Sequence, residues 1–154
     1  MRIASFGRSI FVLQWIFAVL LPLFVFIGRG FVGAELGWMA VLGFVYGIFV
    51  IALLLLPPLL GLLDPIARRA RSVRLIYAIA MIVQWVGLLV VGLTIPDSSD
   101  AGPLAPAVSV WTGLPIDIAT TVFTAATLVA TASWFVTLST AVAGILRGRR
   151  EERE

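Results

Sequence analysis

GLLDPIARRARSVR, residues 61–74, is the one strongly basic interruption in a chain that otherwise passes from one apolar segment to the next. Its four arginines, Arg68, Arg69, Arg71 and Arg74, separate two hydrophobic halves. A short loop of this charge resists transfer across a bilayer, so it sets the orientation of the segments on both sides. As a topology determinant it needs no further role. Lying beside anionic headgroups, it could also hold anionic lipid or an acidic partner, at about 1 kcal/mol per arginine.

The chain is 61% hydrophobic and 12% charged, with mean hydropathy +1.11, where an ordinary soluble domain carries about 25% charged residues. A soluble protein of 154 residues leaves too much of its surface exposed to hide that apolar area. A bilayer accepts it, and residues 1–154 read as one integral membrane domain. All eleven basic residues are arginine. With the abundance of Ala, Gly and Val, this suggests a GC-rich bacterial genome and hence a bacterial plasma membrane. The pI near 10.6 is better explained by arginines flanking membrane spans than by nucleic acid, for which no soluble face exists. Cysteine and histidine are both absent, which excludes disulfides, thiolate chemistry, the commonest general base and the commonest transition-metal ligand. No cofactor is implied.

Four spans are expected, at about 10–27, 38–60, 75–95 and 116–146, followed by a charged tail at 147–154. Ser9 is available to cap the first. A signal peptide is the competing reading of the N-terminus, with Arg2 and Arg8 as its basic region, but the apolar run exceeds a typical signal core of about 7 to 15 residues. Pro57-Pro58 should kink or end the second span. Residues 96–114, rich in Pro, Ser, Gly and Asp, read as a polar external loop with Trp111 at headgroup level. Pro115 and Asp117 suit the start of the fourth span, which at 1.5 Å per residue outruns a core of ~30 Å and must tilt or project. The fold class is therefore all-α, a four-helix transmembrane bundle made of two hairpins. All the arginines but Arg29 fall on one side, so both termini and the central loop are expected in the cytoplasm. The dipeptides Gln14-Trp15 and Gln84-Trp85 occupy equivalent spans, a faint sign of a parallel duplication, with chance the simpler explanation.

Polar residues inside the spans are the candidates for function. Thr120, Thr124, Thr127 and Thr131 recur at i, i+4, i+7 and i+11 and form one helical stripe, with Asp117 near its outer end. A second line, Ala126, Ala130, Ser133, Thr137, Thr140 and Gly144, falls on another face, and together the two faces suggest that the fourth span is the most enclosed. The bland reading of the stripe is helix packing and bonding back to carbonyls one turn earlier; the sharper one is a hydroxyl-lined path for a small ion or polar solute. Gln84 is expected to face the fourth span, because an unpaired amide in hydrocarbon is costly. Gln14 lies closer to the boundary and could reach water. Ala40, Gly43 and Gly47 make a small-residue face for close packing, between neighbouring spans or between two copies. Asp64 reads as a turn or cap paired with Arg68 or Arg69, and Arg29 could pair with Glu35.

These residues favour a non-catalytic accessory or regulatory subunit that acts through helix packing with a membrane-protein partner. A homo-oligomeric channel or transporter lined by the fourth span is the alternative. An enzyme ranks third, because no nucleophile–base pair or metal set can be assembled.

Overall fold

A computed structural model describes residues 6–151. Arg2 and Arg153, which enter the charge count above, lie outside the described residues. The chain forms α1 (Gly7–Phe26), a 3-10 turn (Gly28–Val32), α2 (Trp38–Gly61), α3 (Pro65–Ala70), α4 (Leu75–Thr94), the strands β1 (Asp97–Ser99) and β2 (Gly102–Leu104), α5 (Ala107–Thr112) and α6 (Ile116–Glu151). Four helices, α1, α2, α4 and α6, are long and apolar enough to span a membrane. They close a ring in which α1 packs on α2, α2 on α6, α6 on α4 and α4 on α1.

The helix limits differ from the sequence expectation in ways that have physical causes. α1 begins at Gly7, and its cap position is Phe6 with no side-chain bond, so Ser9 lies inside the helix. The start is set by contact: a Cβ on Gly7 would collide with Ser72 Oγ, and only hydrogen lets the first turn close on the arginine loop. α2 runs through Pro57 and Pro58 to Gly61. Proline has no N–H, so the carbonyls of Leu53 and Leu54 lose their helical donors. The Trp134 indole supplies one replacement, donating to the Leu53 carbonyl at 2.9 Å. α6 continues as helix past residue 146 and takes in the expected tail as far as Glu151.

The most enclosed helix is α4 and not α6. Half of its most apolar stretch is buried, against 28% for α6, 33% for α1 and 6% for α2. Small residues account for this. A Cβ on Gly87 would sit 3.1 Å from Ala130 of α6, and one on Gly92 would sit 2.6 Å from Phe24 of α1. Each glycine lets a neighbour approach closely on a different side of α4. The core follows the same axis: Tyr77, Ala78, Met81 and Trp85 cluster with Ile10 and Leu21 of α1 and Ala141 of α6.

On α2 the small-residue face is already occupied within the chain. A Cβ on Gly43 would collide with Phe26, and Gly47 lies at contact distance from the same ring. The intrachain packing reading fits Gly43 and Gly47. Ala40 is half-buried one turn earlier.

Residues 95–115 are more than a plain loop. β1 and β2 pair antiparallel, with Asp97 opposite Leu104, and α5 packs on the 3-10 turn after α1. Trp111 of α5 is exposed and donates from its indole to the Val32 carbonyl at 2.7 Å.

Candidate functional site

Three groups of polar residues stand out in an otherwise apolar bundle. The first lies at the arginine-loop end. Asp64 caps α3, its Oδ1 accepting from the N–H of Ile66 at 3.1 Å and of Ala67 at 3.3 Å, and Pro65 takes the first helical position. The cap expected at Asp64 is present, but its ionic partner is Arg74, at 2.7 Å, and not Arg68 or Arg69. Both members are buried. Arg74 therefore turns inward and cannot contact lipid headgroups as the sequence suggested, whereas Arg68, Arg69 and Arg71 remain on the surface.

α6 reaches this pair through Gly144 and Gly148, four residues apart. A Cβ on Gly144 would lie 2.7 Å from Asp64 Oδ2, and one on Gly148 would lie 2.8 Å from Asp64 Oδ1 and 2.7 Å from Pro65. Only glycine admits the carboxylate this close to the helix. The contact was missed because Gly148 lies among charges, where hydropathy suggests a solvated tail; its four-residue spacing from Gly144 was the available signal.

The second group lies within the bundle. Gln14 is buried and does not reach water. Its amide donates to the Phe11 carbonyl at 3.1 Å and its oxygen accepts from the Tyr77 hydroxyl at 2.9 Å. A cavity of ≈ 20 Å³ separates this pair from Asp64, Arg74 and Thr140, room for about one water. Gln84 faces α6, meeting it at Thr137: the Thr137 hydroxyl donates to the Trp134 carbonyl at 2.7 Å and reaches Gln84 Oε1 at 3.5 Å. Gln84 also lies at the base of an open apolar groove of ≈ 310 Å³ between α2, α4 and α6, on whose rim Thr127 and Thr131 stand.

The threonine stripe lies beside the packed seam of α6, not on it. Ala119, Ala126, Ala130, Ser133, Thr137, Ala141, Gly144 and Gly148 are the buried residues of this helix. Thr120, Thr127 and Thr131 each follow a seam residue by one position, which turns them about 100° away. Thr124 and Thr131 are exposed, and Thr120 and Thr127 are half-buried. Thr120, Thr124 and Thr127 donate to the carbonyls of Ile116, Thr120 and Phe123 at 2.8–2.9 Å. Asp117 is exposed in the first turn of α6. The structure brings Gln84, Thr127 and Thr131 to one groove and leaves Asp117, Thr120 and Thr124 outside it.

The third group, at the opposite end, was not anticipated. Arg29 is fully buried and forms an ion pair with Asp97, 68 residues later, instead of meeting Glu35. Asp97 also accepts from the backbone N–H of Gly37 at 2.7 Å, Met39 at 3.0 Å and Ser98 at 2.7 Å. It thus caps the N-terminus of α2 from another part of the chain, where the helix dipole favours a negative charge. Burial alone would push this carboxyl up; the bonds from Met39, Arg29, Ser98 and Gly37 outweigh it and hold Asp97 below the usual carboxylate range. Trp38 Nε1 adds a bond to Asp100 at 3.2 Å. Nothing in the sequence linked Arg29 to Asp97, because both sit in segments that read only as polar turns.

Among the described residues, no group of three or more acidic side chains is placed to hold a metal ion. Compared with protein-family models, with curated proteins and with solved structures, the chain matches none.

Proposed function

We propose that this chain is a non-catalytic, multi-pass accessory or regulatory subunit of a bacterial plasma membrane, acting through helix packing. One observation carries the reading: the polar side chains within the bundle are engaged inside the chain. Gln14 is held by the Tyr77 hydroxyl and Asp64 by Arg74, while the Thr137 hydroxyl bonds back to the Trp134 carbonyl of its own helix and reaches Gln84. The internal voids beside them measure ≈ 20 and ≈ 10 Å³, which is single-water space. α2 is the opposite case. Phe44, Ile48 and Phe49 point outward, leaving a broad apolar helix face for lipid or for a membrane-protein partner. Purification of the full chain in mild detergent tests the proposal, which expects a stoichiometric foreign protein to remain bound. A pure homo-oligomer would sink it in favour of self-assembly.

The orientation belongs to the same proposal: two hairpins, with both termini and the arginine loop in the cytoplasm. Arg29, the single arginine on the other side, is buried against Asp97 and offers the outer face no free positive charge. A C-terminal reporter fusion that reads out as periplasmic would overturn this orientation.

A second reading has an observation in its favour. Thr124 and Thr131 lie on the exposed edge of α6, where a ring of subunits would enclose them as a path for a small ion or polar solute. Replacing Thr127 and Thr131 with valine separates the two readings. A channel lined by these hydroxyls loses flux in proteoliposomes, and unchanged flux removes it.

A further inference from the structure

A groove of ≈ 720 Å³ opens at the arginine-loop end of the bundle, between the first turns of α1 and the end of α3. It is lined by Arg8, Arg69 and Arg71 and by Phe11, Val12 and Ala70, and among the described residues no acidic side chain lines it. Positive charge sits beside an apolar surface that continues along the exposed side of α1 through Val12 and Ile16. We infer that this groove is a binding site for one anionic phospholipid, its phosphate held by Arg8 and Arg71 and its acyl chain lying along α1. The inference rests on the four helices spanning a membrane.

Two features of the backbone indicate that the groove is formed by the fold and is not a chance meeting of mobile side chains. The first is Gly7. Its missing Cβ lets α1 close on Ser72 and Val73, and this contact carries Arg8 to the loop that bears Arg71.

The second feature is Arg71 itself. α3 ends in a Schellman motif: the N–H of Ser72 reaches the Ala67 carbonyl at 3.1 Å and that of Arg71 reaches Arg68 at 3.2 Å. The residue at the left-handed position of this motif is ordinarily glycine. Here it is Arg71, at φ 47°, the one non-glycine residue with positive φ among the described residues. A side chain held where glycine is cheaper points to a use for that side chain. A planar guanidinium matches a phosphate with two parallel bonds, which glycine cannot supply.

That strain also provides the test, because Arg71→Gly removes the charge and relaxes the backbone together. The full chain in phosphatidylcholine nanodiscs would be titrated with phosphatidylglycerol, with lipid binding read by native mass spectrometry and stability by thermal unfolding. Phosphatidylglycerol is expected to bind and raise the unfolding midpoint. Arg71→Gly and Arg8→Gln should each weaken binding about fivefold, while Arg71→Gly leaves the midpoint in phosphatidylcholine unchanged or higher. Arg71→Lys should keep most of the binding. Undiminished phosphatidylglycerol binding in the Arg8→Gln/Arg71→Gly double variant would overturn the assignment. So would complete displacement of the lipid by inorganic phosphate, which would make the groove a soluble-anion site. Failure of the wild-type chain to enter phosphatidylcholine bilayers would overturn the membrane reading as well, and it shows before any anionic lipid is added.

Discussion

Asp97 performs two tasks with one carboxylate: it neutralises the buried Arg29 and caps α2. Removing one partner of a buried pair leaves the other charge uncompensated, which typically costs about 3–5 kcal/mol. Asp97→Asn should therefore lower thermal stability in detergent by about that amount, and Glu35→Gln, at an exposed position, should change little. The pH dependence follows in sign. The folded carboxyl titrates below its ordinary value of 3.8, so the unfolded chain takes up the proton first. Its stabilisation is complete above about 3.8 and is lost as the pH falls further, through the lower folded value. Unfolding midpoints should be flat in this component from pH 7 to 5 and decline below 3.8, and Asp97→Asn should remove that decline.

Between elements, close approach at glycine does most of the positioning. Gly61 has nothing within 4 Å of an added Cβ, whereas Gly144 would meet Asp64 at 2.7 Å. Gly61→Ala is expected to be neutral or to stabilise by up to about 1 kcal/mol. Gly144→Ala should destabilise, because it pushes α6 off the Asp64–Arg74 pair; unfolding in detergent distinguishes the two. The contact of α2 with α6 is chemically specific. Trp134 donates to a carbonyl that Pro57 leaves without a partner. Trp134→Phe should cost about 1 kcal/mol in the wild-type background and less in a Pro57→Ala background, where a helical N–H returns to Leu53. Equal costs in both backgrounds would show that the indole bond and the proline are unrelated.

At the scale of the molecule, two aspartate–arginine pairs bracket the bundle, Asp64–Arg74 at the basic end and Asp97–Arg29 at the other. Each joins segments that precede different helices, so each ties the ring together where the hydrocarbon of a bilayer would not. Apolar faces alone give little drive for helices to associate in lipid, and small residues and polar bonds must supply it. Thr124→Val and Thr127→Val, whose hydroxyls bond within α6, should change stability by less than about 0.5 kcal/mol. Arg74→Gln should be far more damaging. A scan of unfolding midpoints across these variants checks the ranking.

The spans, their number, the helical class and the basic loop were all legible in the sequence, because hydropathy and helix length are summed over about 20 residues and survive errors at any one. The Asp64 cap was legible for a related reason: a cap is a local bond between neighbours in the chain. What the sequence could not decide is which way each helix turns. A single position moves a residue about 100° around the axis, and so the line of Ala126, Ala130, Ser133 and Thr137 is packed while the adjacent threonines stand at its edge. Pairings across the fold were equally hidden. Arg29 finds Asp97 across 68 residues and Arg74 draws in Asp64, because in a bundle the partner of a charge is set by which helix ends meet, and that is a property of the tertiary structure alone.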